Sequence, residues 1–455
     1  MDLNPEIFRE YDIRGRVGAD LTDESVGLIA RAMAAYLADG GARRVSLASD
    51  NRLSSDGFRA ILARELAGSG LDVVDFGVIP TPVFYFTLFE RGTDGGVMIT
   101  GSHNPPEFNG FKVAAGKSTI YGAEIQRVRE IAEKRSFRSG EGAVERADAI
   151  QGYVENLSRR VKIARPVALA ADCGNGTAGL VAGELFARSG VSAKLLYAEP
   201  DGRYPNHHPD PTVPRNLEDL IRAVRTDGLE CGIAYDGDAD RIGVVDETGE
   251  IIWGDRLLII FARDIIAAKP GARIIFEVKC SQALPEAVAR AGGVPIMWKT
   301  GHSLIKGKMK AEDASLAGEM SGHIFFNDRY YGYDDALYAS LRLLEIVSRL
   351  SGKMSDLLAD VPRYYTTPEI RVDCPDRLKF KVVEDLKRFL SKDHKVVDID
   401  GARVTYDDGW GLVRASNTQP VLVLRFEGRT RERLEEIRRE IQDALVKVAG
   451  GAVAL

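Results

Sequence analysis

The chain has 455 residues, 45% of them hydrophobic and 28% charged, and its 61 Lys plus Arg against 67 Asp plus Glu leave a net charge of −6. That balance gives no basic footprint for nucleic acid, and a mean hydropathy of −0.14 argues against both disorder and burial in a membrane. At about 150 residues per domain the length predicts three or four domains, enough to enclose a cleft between them.

No run approaches the ~18 apolar residues of a spanning helix, and Met1-Asp2-Leu3-Asn4-Pro5 lacks the basic and apolar regions of a secretion signal. A cytoplasmic protein is expected. Cys173, Cys231, Cys280 and Cys374 are far apart, with no C-x-x-C pair, so they read as reduced, packed thiols rather than as a zinc site or a disulfide framework.

In chain order, apolar spacing predicts a helix over 24–37, a strand at Val45-Ser46-Leu47-Ala48, a helix over 55–67, a strand at Val73 to Phe76 and a buried strand from Gly95 to Thr100. Strand and helix alternate, which is the pattern of an α/β unit. The last strand runs into Gly101-Ser102-His103-Asn104-Pro105-Pro106. Glycine and proline punctuation makes this a turn, and beyond the carboxyl end of a covered strand it presents Ser102 as a candidate nucleophile on a surface loop.

A connecting helix over 150–157 precedes a second unit, opened by the strand Val167 to Ala171 and the loop Asp172 to Thr177. Between the strand-like runs Cys231 to Tyr235 and Ile242 to Val245 lies Asp236-Gly237-Asp238-Ala239-Asp240-Arg241. Three carboxylates at alternate positions suit one hard divalent cation. A calcium loop is the rival, since Glu247 stands twelfth from Asp236, but Arg241 occupies the place of its glycine and the flanks are strands rather than helices. His207 and His208, in a proline-rich turn, read as a loop and are left out of the site.

A third unit begins near Ile251, with a helix over 255–269 and a strand from Arg273 to Glu277. The run Val294 to Trp298 breaks into Lys299-Thr300-Gly301-His302-Ser303, a basic glycine loop. It forms a set with the serine and aspartate loops, each following an apolar strand, and the three are expected to converge on one ligand. Gly318-Glu319-Met320-Ser321-Gly322-His323 carries a carboxylate, a hydroxyl and an imidazole suited to a polyol, or is simply a tight loop. Past Pro362, a helix over 381–390, a strand from Val421 to Phe426 and a helix over 430–448 form a smaller α+β unit. Its loop Arg414-Ala415-Ser416-Asn417-Thr418-Gln419-Pro420 gathers phosphate donors, or caps the following strand. The expected boundaries are 1–148, 149–250, 251–362 and 363–455.

These four motifs, in this order, resemble the α-D-phosphohexomutase superfamily, and most closely its bacterial phosphomannomutase/phosphoglucomutase branch. Tyr11-Asp12-Ile13-Arg14-Gly15 also matches the family's opening signature. The resemblance spans nearly the whole chain. It implies three related mixed α/β domains plus a smaller C-terminal α+β domain around a central cleft, in a monomer or weak oligomer acting on small sugar phosphates. It implies that Ser102 carries a phosphoryl group and, with Asp236, Asp238 and Asp240, binds Mg²⁺. His103 and Arg241 would lie beside that phosphate, with Lys112 contributing a nearby charge.

By the same pattern Glu319 and Ser321 bind the sugar, while Arg414, Ser416, Asn417 and Thr418 hold its own phosphate. Tyr11, Arg14, Lys279, Thr300, Gly301, His302 and His323 complete the cleft. The implied reaction interconverts hexose 1- and 6-phosphates of glucose and mannose through a bisphosphate that turns around, with glucose 1,6-bisphosphate as activator. Lys112 and His323 are both candidates for the general acid/base. A phosphoglucosamine mutase is the nearest alternative, although such enzymes typically carry glycine where Asn417 stands and differ at Ala239 and Met320. A Mg²⁺-dependent phosphatase and a non-enzymatic sugar-phosphate binder are further rivals.

Overall fold

In a computed structural model, which describes residues 3–417, 419–451 and 453, one arrangement of four strands occurs three times. Arg44–Ser49 lies between Asp72–Val78 and Gly95–Ile99, parallel to both, and Gly95–Ile99 then pairs antiparallel with Phe108–Ala115. Ala168–Asp172 stands in the same way between Ser192–Leu196 and Cys231–Tyr235, and the latter pairs antiparallel with Ile242–Asp246. Arg273–Glu277 is flanked by Val294–Trp298 and Leu316–Gly318, and Leu316–Gly318 pairs antiparallel with Ile324–Phe326. The first and third strands of each unit are largely buried, so their sequences are runs of apolar residues rather than alternations, whereas the edge strands Ser192–Leu196 and Val294–Trp298 are only partly covered.

This topology corrects the expected set of equivalent loops. The loop joining the third strand to its antiparallel partner holds Ser102 in the first unit, the three aspartates in the second and Glu319 to His323 in the third. The Lys299 to Ser303 loop instead follows the second strand, so it enters the cleft from a different corner of its sheet. Short parallel strands give no sequence cue to their order, which is set by the crossover connections.

Local chemistry fixes the ends of these elements. Thr22 accepts from the Ser25 N–H while Ser25 Oγ accepts from the Thr22 N–H, a reciprocal cap that starts the helix Asp23–Asp39. One apolar face of each of the three units joins a shared core running from Phe84 and Tyr153 through Leu169 and Ile233 to Phe261 and Leu337, while the opposite faces pack in separate clusters under their own helices. Part of the burial that folds each unit therefore also docks it on its neighbours. The C-terminal unit packs the helices Asp376–Leu390 and Arg431–Ala449 on an antiparallel sheet, around Leu386, Leu424 and Ile441. It meets the third unit through a small apolar contact of Val278, Trp410 and Leu412. The four cysteines are buried and unpaired. Among the described residues no helix is long and apolar enough to cross a membrane.

Candidate active site

Ser102 sits at φ +48°, in the left-handed region, and its Oγ donates to Asp236 Oδ2 at 2.7 Å and lies 3.1 Å from His103 Nδ1. It is 3% exposed, so the expectation of a hydroxyl on a surface loop is corrected. The turn is folded inward against the aspartate loop of the second unit. Holding a non-glycine residue at positive φ costs of order 1 kcal/mol, and a surrounding framework must impose it.

That framework is Arg52, which the sequence reading passed over. Its buried guanidinium donates to the carbonyls of Ser102, Asn104, Pro105 and Phe108 at 2.6–2.9 Å. Asp50 pairs with it at 3.2 Å and accepts from the Gly101 N–H at 3.0 Å. A Cβ on Gly101 would come within 2.4 Å of Arg52 Nε, so glycine is required there. The signal was one of position: Asp50-Asn51-Arg52 directly follows a strand's carboxyl end.

The carboxylates of Asp236, Asp238 and Asp240 are fully buried and offer ligand atoms within 4.8 Å of one another. Asp236 Oδ1 accepts from the N–H groups of Asp240 and Arg241. Asp238 Oδ2 accepts from Thr81, Thr100 and Lys112, and Asp240 Oδ2 contacts Lys112 Nζ. Asp238 Oδ1 and Asp240 Oδ1 have no hydrogen-bond partner among the described residues. Burial and repulsion by Asp238 and Asp240 push the Asp236 carboxyl well above its usual range. Burial, then Asp238, raises Asp240 as well, whereas at Asp238 the Lys112 ammonium and its hydrogen bonds overcome burial and lower it. One ammonium among three buried carboxylates leaves the cluster short of positive charge. An all-oxygen donor set with two orphaned buried oxygens fits a hard divalent cation.

Around this centre the other expected residues assemble. Burial works against the Lys112 ammonium, but Asp238 and Asp240 outweigh it and hold its pKa well above normal, so it stays charged. Burial, Arg241 and Arg14 push the His103 imidazole well below its ordinary value. Arg241 Nε donates to His323 Nε2 at 2.9 Å, and the two residues are joined by an antiparallel bridge that links the second and third units. Arg14 donates to Asn104 Oδ1 at 2.9 Å. The Tyr11 ring meets His302 edge-on at 5.4 Å, and His302 stacks on His323 at 6.0 Å. Glu319 Oε1 accepts from the Gly301 N–H at 2.7 Å. Ser321 is half-buried beside it.

Two carboxylates missed in sequence organise the remainder. Glu277, at the end of a buried strand, accepts from the Lys279 N–H, Thr300 Oγ1 and the Met320 N–H, tying three loops of the third unit together. Asp400 accepts from Arg414 Nε at 3.0 Å and from the Thr300 N–H at 3.1 Å. It thereby joins the C-terminal donor loop to the third unit, as Lys279 does through Glu369 at 3.1 Å. Gly401 at φ +93° permits the close approach, for a Cβ there would lie 2.7 Å from that of Arg414. Ser416 Oγ accepts from the Gln419 N–H, Asn417 is half-buried, and Thr418 lies outside the described residues. His207 pairs with Asp172 at 3.0 Å, and His208 contacts the His103 carbonyl, so this loop braces the site from behind.

Comparison with known proteins supplies the family. Models described as phosphoglucomutase/phosphomannomutase alpha/beta/alpha domains I, II and III match residues 5–139, 151–249 and 253–365, and the family's C-terminal domain matches 369–444. The chain belongs to the phosphoglucomutase/phosphomannomutase family. It is 45% identical over 447 residues to a phosphomannomutase/phosphoglucomutase of Pseudomonas aeruginosa, covering 98% of this chain and 96% of that one. A phosphoglucomutase of Neisseria gonorrhoeae is 44% identical over 440 residues, covering 96% and 95%. A solved structure of a phosphoglucomutase/phosphomannomutase family protein from Burkholderia thailandensis superposes with a TM-score of 0.93 at 42% identity, covering 99% of each chain. Within this family the chain is an enzyme, a mutase that transfers phosphoryl groups.

Proposed function

We infer that this enzyme interconverts the 1- and 6-phosphates of glucose and mannose, with Ser102 as phosphoryl carrier. The observation that carries the assignment is the bond from Ser102 Oγ to Asp236 Oδ2, which sets a nucleophile-bearing turn against a carboxylate cluster short of cationic charge. Asp236, Asp238 and Asp240, with an oxygen of the phosphorylated Ser102, are the residues that would hold Mg²⁺. When bound, the cation neutralises phosphoryl oxygens as a Lewis acid.

In the first half-reaction a sugar hydroxyl attacks the phosphorus on Ser102. A P–O bond to the sugar forms and the P–Oγ bond breaks. The bonding pair stays on Ser102 Oγ, which uses it to attack the bisphosphate in the second half-reaction. Arg241 and the neutral His103 flank the transferring group, and Arg241 offsets charge on its oxygens. Lys112, locked as an ammonium between two carboxylates, is a poor proton acceptor. His323 Nε2 accepts from Arg241 in the resting site and can exchange that contact for the sugar's hydroxyl proton, so His323 is the general base. The resulting 1,6-bisphosphate turns around, its other phosphate is returned to Ser102, and His323 gives the proton back. Arg414, Ser416 and Asn417 on the C-terminal unit grip the phosphate that is not reacting, while Glu319 and Ser321 take the hydroxyls. A grip remote from the carboxylates accepts either end of the sugar.

The test is incubation with glucose 1-phosphate, Mg²⁺ and a trace of glucose 1,6-bisphosphate. Glucose 6-phosphate as product supports the assignment. Free phosphate in its place identifies a phosphatase, and turnover confined to glucosamine 1-phosphate a phosphoglucosamine mutase.

A further inference from the structure

His323 is buried, and the contacts of its two ring nitrogens define its tautomer. Arg241 Nε carries a hydrogen and has no lone pair to offer, so at 2.9 Å from His323 Nε2 it can only donate. The neutral ring therefore keeps its own proton on Nδ1. That nitrogen faces Asp334 Oδ2 at 3.2 Å and Asp240 Oδ1 at 3.5 Å, and each of the three atoms is buried without a hydrogen bond to anything else among the described residues. Asp240 is already engaged by Lys112 through its other oxygen.

Among the described residues Asp334 makes no hydrogen bond to the aspartate loop's backbone or to the serine turn. Its Oδ1 takes Lys306 Nζ at 3.1 Å, which fixes the carboxylate and turns Oδ2 toward the imidazole. A backbone bridge between Phe325 and Asp334 ties the residue to the strand that leaves His323. His302 Nδ1 stands farther off, at 3.9 Å. The same three side chains have the spacing of a cation site, with donors within 4.8 Å. A cation on Nδ1 while Nε2 accepts from Arg241 would require a fully deprotonated ring, so the arrangement favours a carboxylate–imidazole pair.

We propose that Asp334 is the positioning residue for proton transfer: by accepting the Nδ1–H it keeps the His323 Nε2 lone pair available to the attacking sugar hydroxyl. The assignment rests on His323 being the base. A ring free to flip or to exchange tautomers would present an N–H to that hydroxyl for part of the time.

The experiment compares D334N, H323A and the double variant by steady-state kinetics on glucose 1-phosphate, with ¹⁵N NMR of histidine-labelled protein. Expected are a kcat at least about tenfold lower in D334N with KM within about twofold, a double variant no slower than H323A, and a wild-type His323 bare at Nε2 that becomes a tautomer mixture in D334N. An asparagine variant with wild-type kcat, effects that multiply in the double variant, or an unchanged tautomer would overturn the role of Asp334. Wild-type turnover in H323A would instead remove the base itself. Because D334N leaves the Lys306 ammonium unpaired in the interior, D334N/K306M, which removes both charges, is read by the same criteria should D334N fail to fold.

Discussion

Ser102 Oγ and Asp236 Oδ2, 134 residues apart in sequence, are joined by a 2.7 Å hydrogen bond. Two units of the fold therefore meet at the proposed phosphoryl carrier, and neither supplies both groups alone. Replacing Ser102 by alanine removes the carrier without opening a large void. Turnover should fall by at least about 10³-fold, as for loss of a covalent nucleophile. The thermal midpoint should stay near wild type, and intact mass should show no phosphorylated species. A variant with even a few per cent of wild-type turnover would sink the carrier assignment.

The crowding of Asp236, Asp238 and Asp240 makes metal removal a stability experiment as well as an activity one. Three buried carboxylates share one ammonium, so chelation should abolish turnover and lower the melting temperature, and added Mg²⁺ should restore both. At 100 times the dissociation constant, linkage predicts about 2.7 kcal/mol of added stability. A midpoint indifferent to Mg²⁺ across that range would show that the cluster does not bind it.

Arg52 combines catalytic placement with folding. Its guanidinium serves four carbonyls of the serine turn, and its removal strands the buried Asp50 carboxylate. R52A should cost about 3–5 kcal/mol, the usual loss when one partner of a buried pair is deleted. R52K keeps the charge but not the planar fork, so it should fold better than R52A while turning over well below wild type. Urea denaturation alongside kinetics separates the two effects. Equal stability of R52A and wild type would remove the clamp.

Asp400 makes a different prediction, because it touches Arg414 of the proposed phosphate grip rather than Ser102. It holds Arg414 and the Thr300 backbone at once. D400A should raise KM for glucose 1-phosphate about tenfold, the equivalent of one charge-assisted hydrogen bond, with kcat changed less. An effect confined to kcat would place Asp400 in the transfer step instead.

How much of this was legible follows from which signals are local. The strands ending in Ser102 and the three aspartates, and the helix Ser55–Ala67, are readable because apolar period and glycine punctuation are written in adjacent residues. The ordering of strands was not, so the Lys299 to Ser303 loop was matched with the wrong partners. Burial of Ser102 was missed for the same reason: the Arg52 and Asp236 that draw the turn inward are 50 and 134 residues away. Glu277, Asp334 and Asp400 carry no motif. Each is a lone carboxylate whose function comes from the loops that fold around it.

Asp335, next to Asp334 but facing the opposite way, gives a pH prediction. Its carboxylate caps the helix Ala336–Val347 through the Tyr338 N–H and accepts from the hydroxyls of Tyr153 and Tyr330. Burial outweighs these donors and pushes its pKa from 3.8 up to about 7. A carboxyl with a raised folded-state pKa binds its proton more tightly in the native protein than in the unfolded chain. Its contribution to stability is therefore greatest below about pH 4, declines as pH rises through the interval to about 7, and is lost above it. Asparagine keeps an acceptor and cannot ionise. D335N should be the less stable protein at pH 5, where wild-type Asp335 is protonated and retains its hydrogen bonds, and should gain on wild type by a few kcal/mol at pH 8. Urea midpoints of both proteins at the two pH values give the difference directly. A stability gap that stays constant between pH 5 and 8 would mean that Asp335 ionises at its ordinary value.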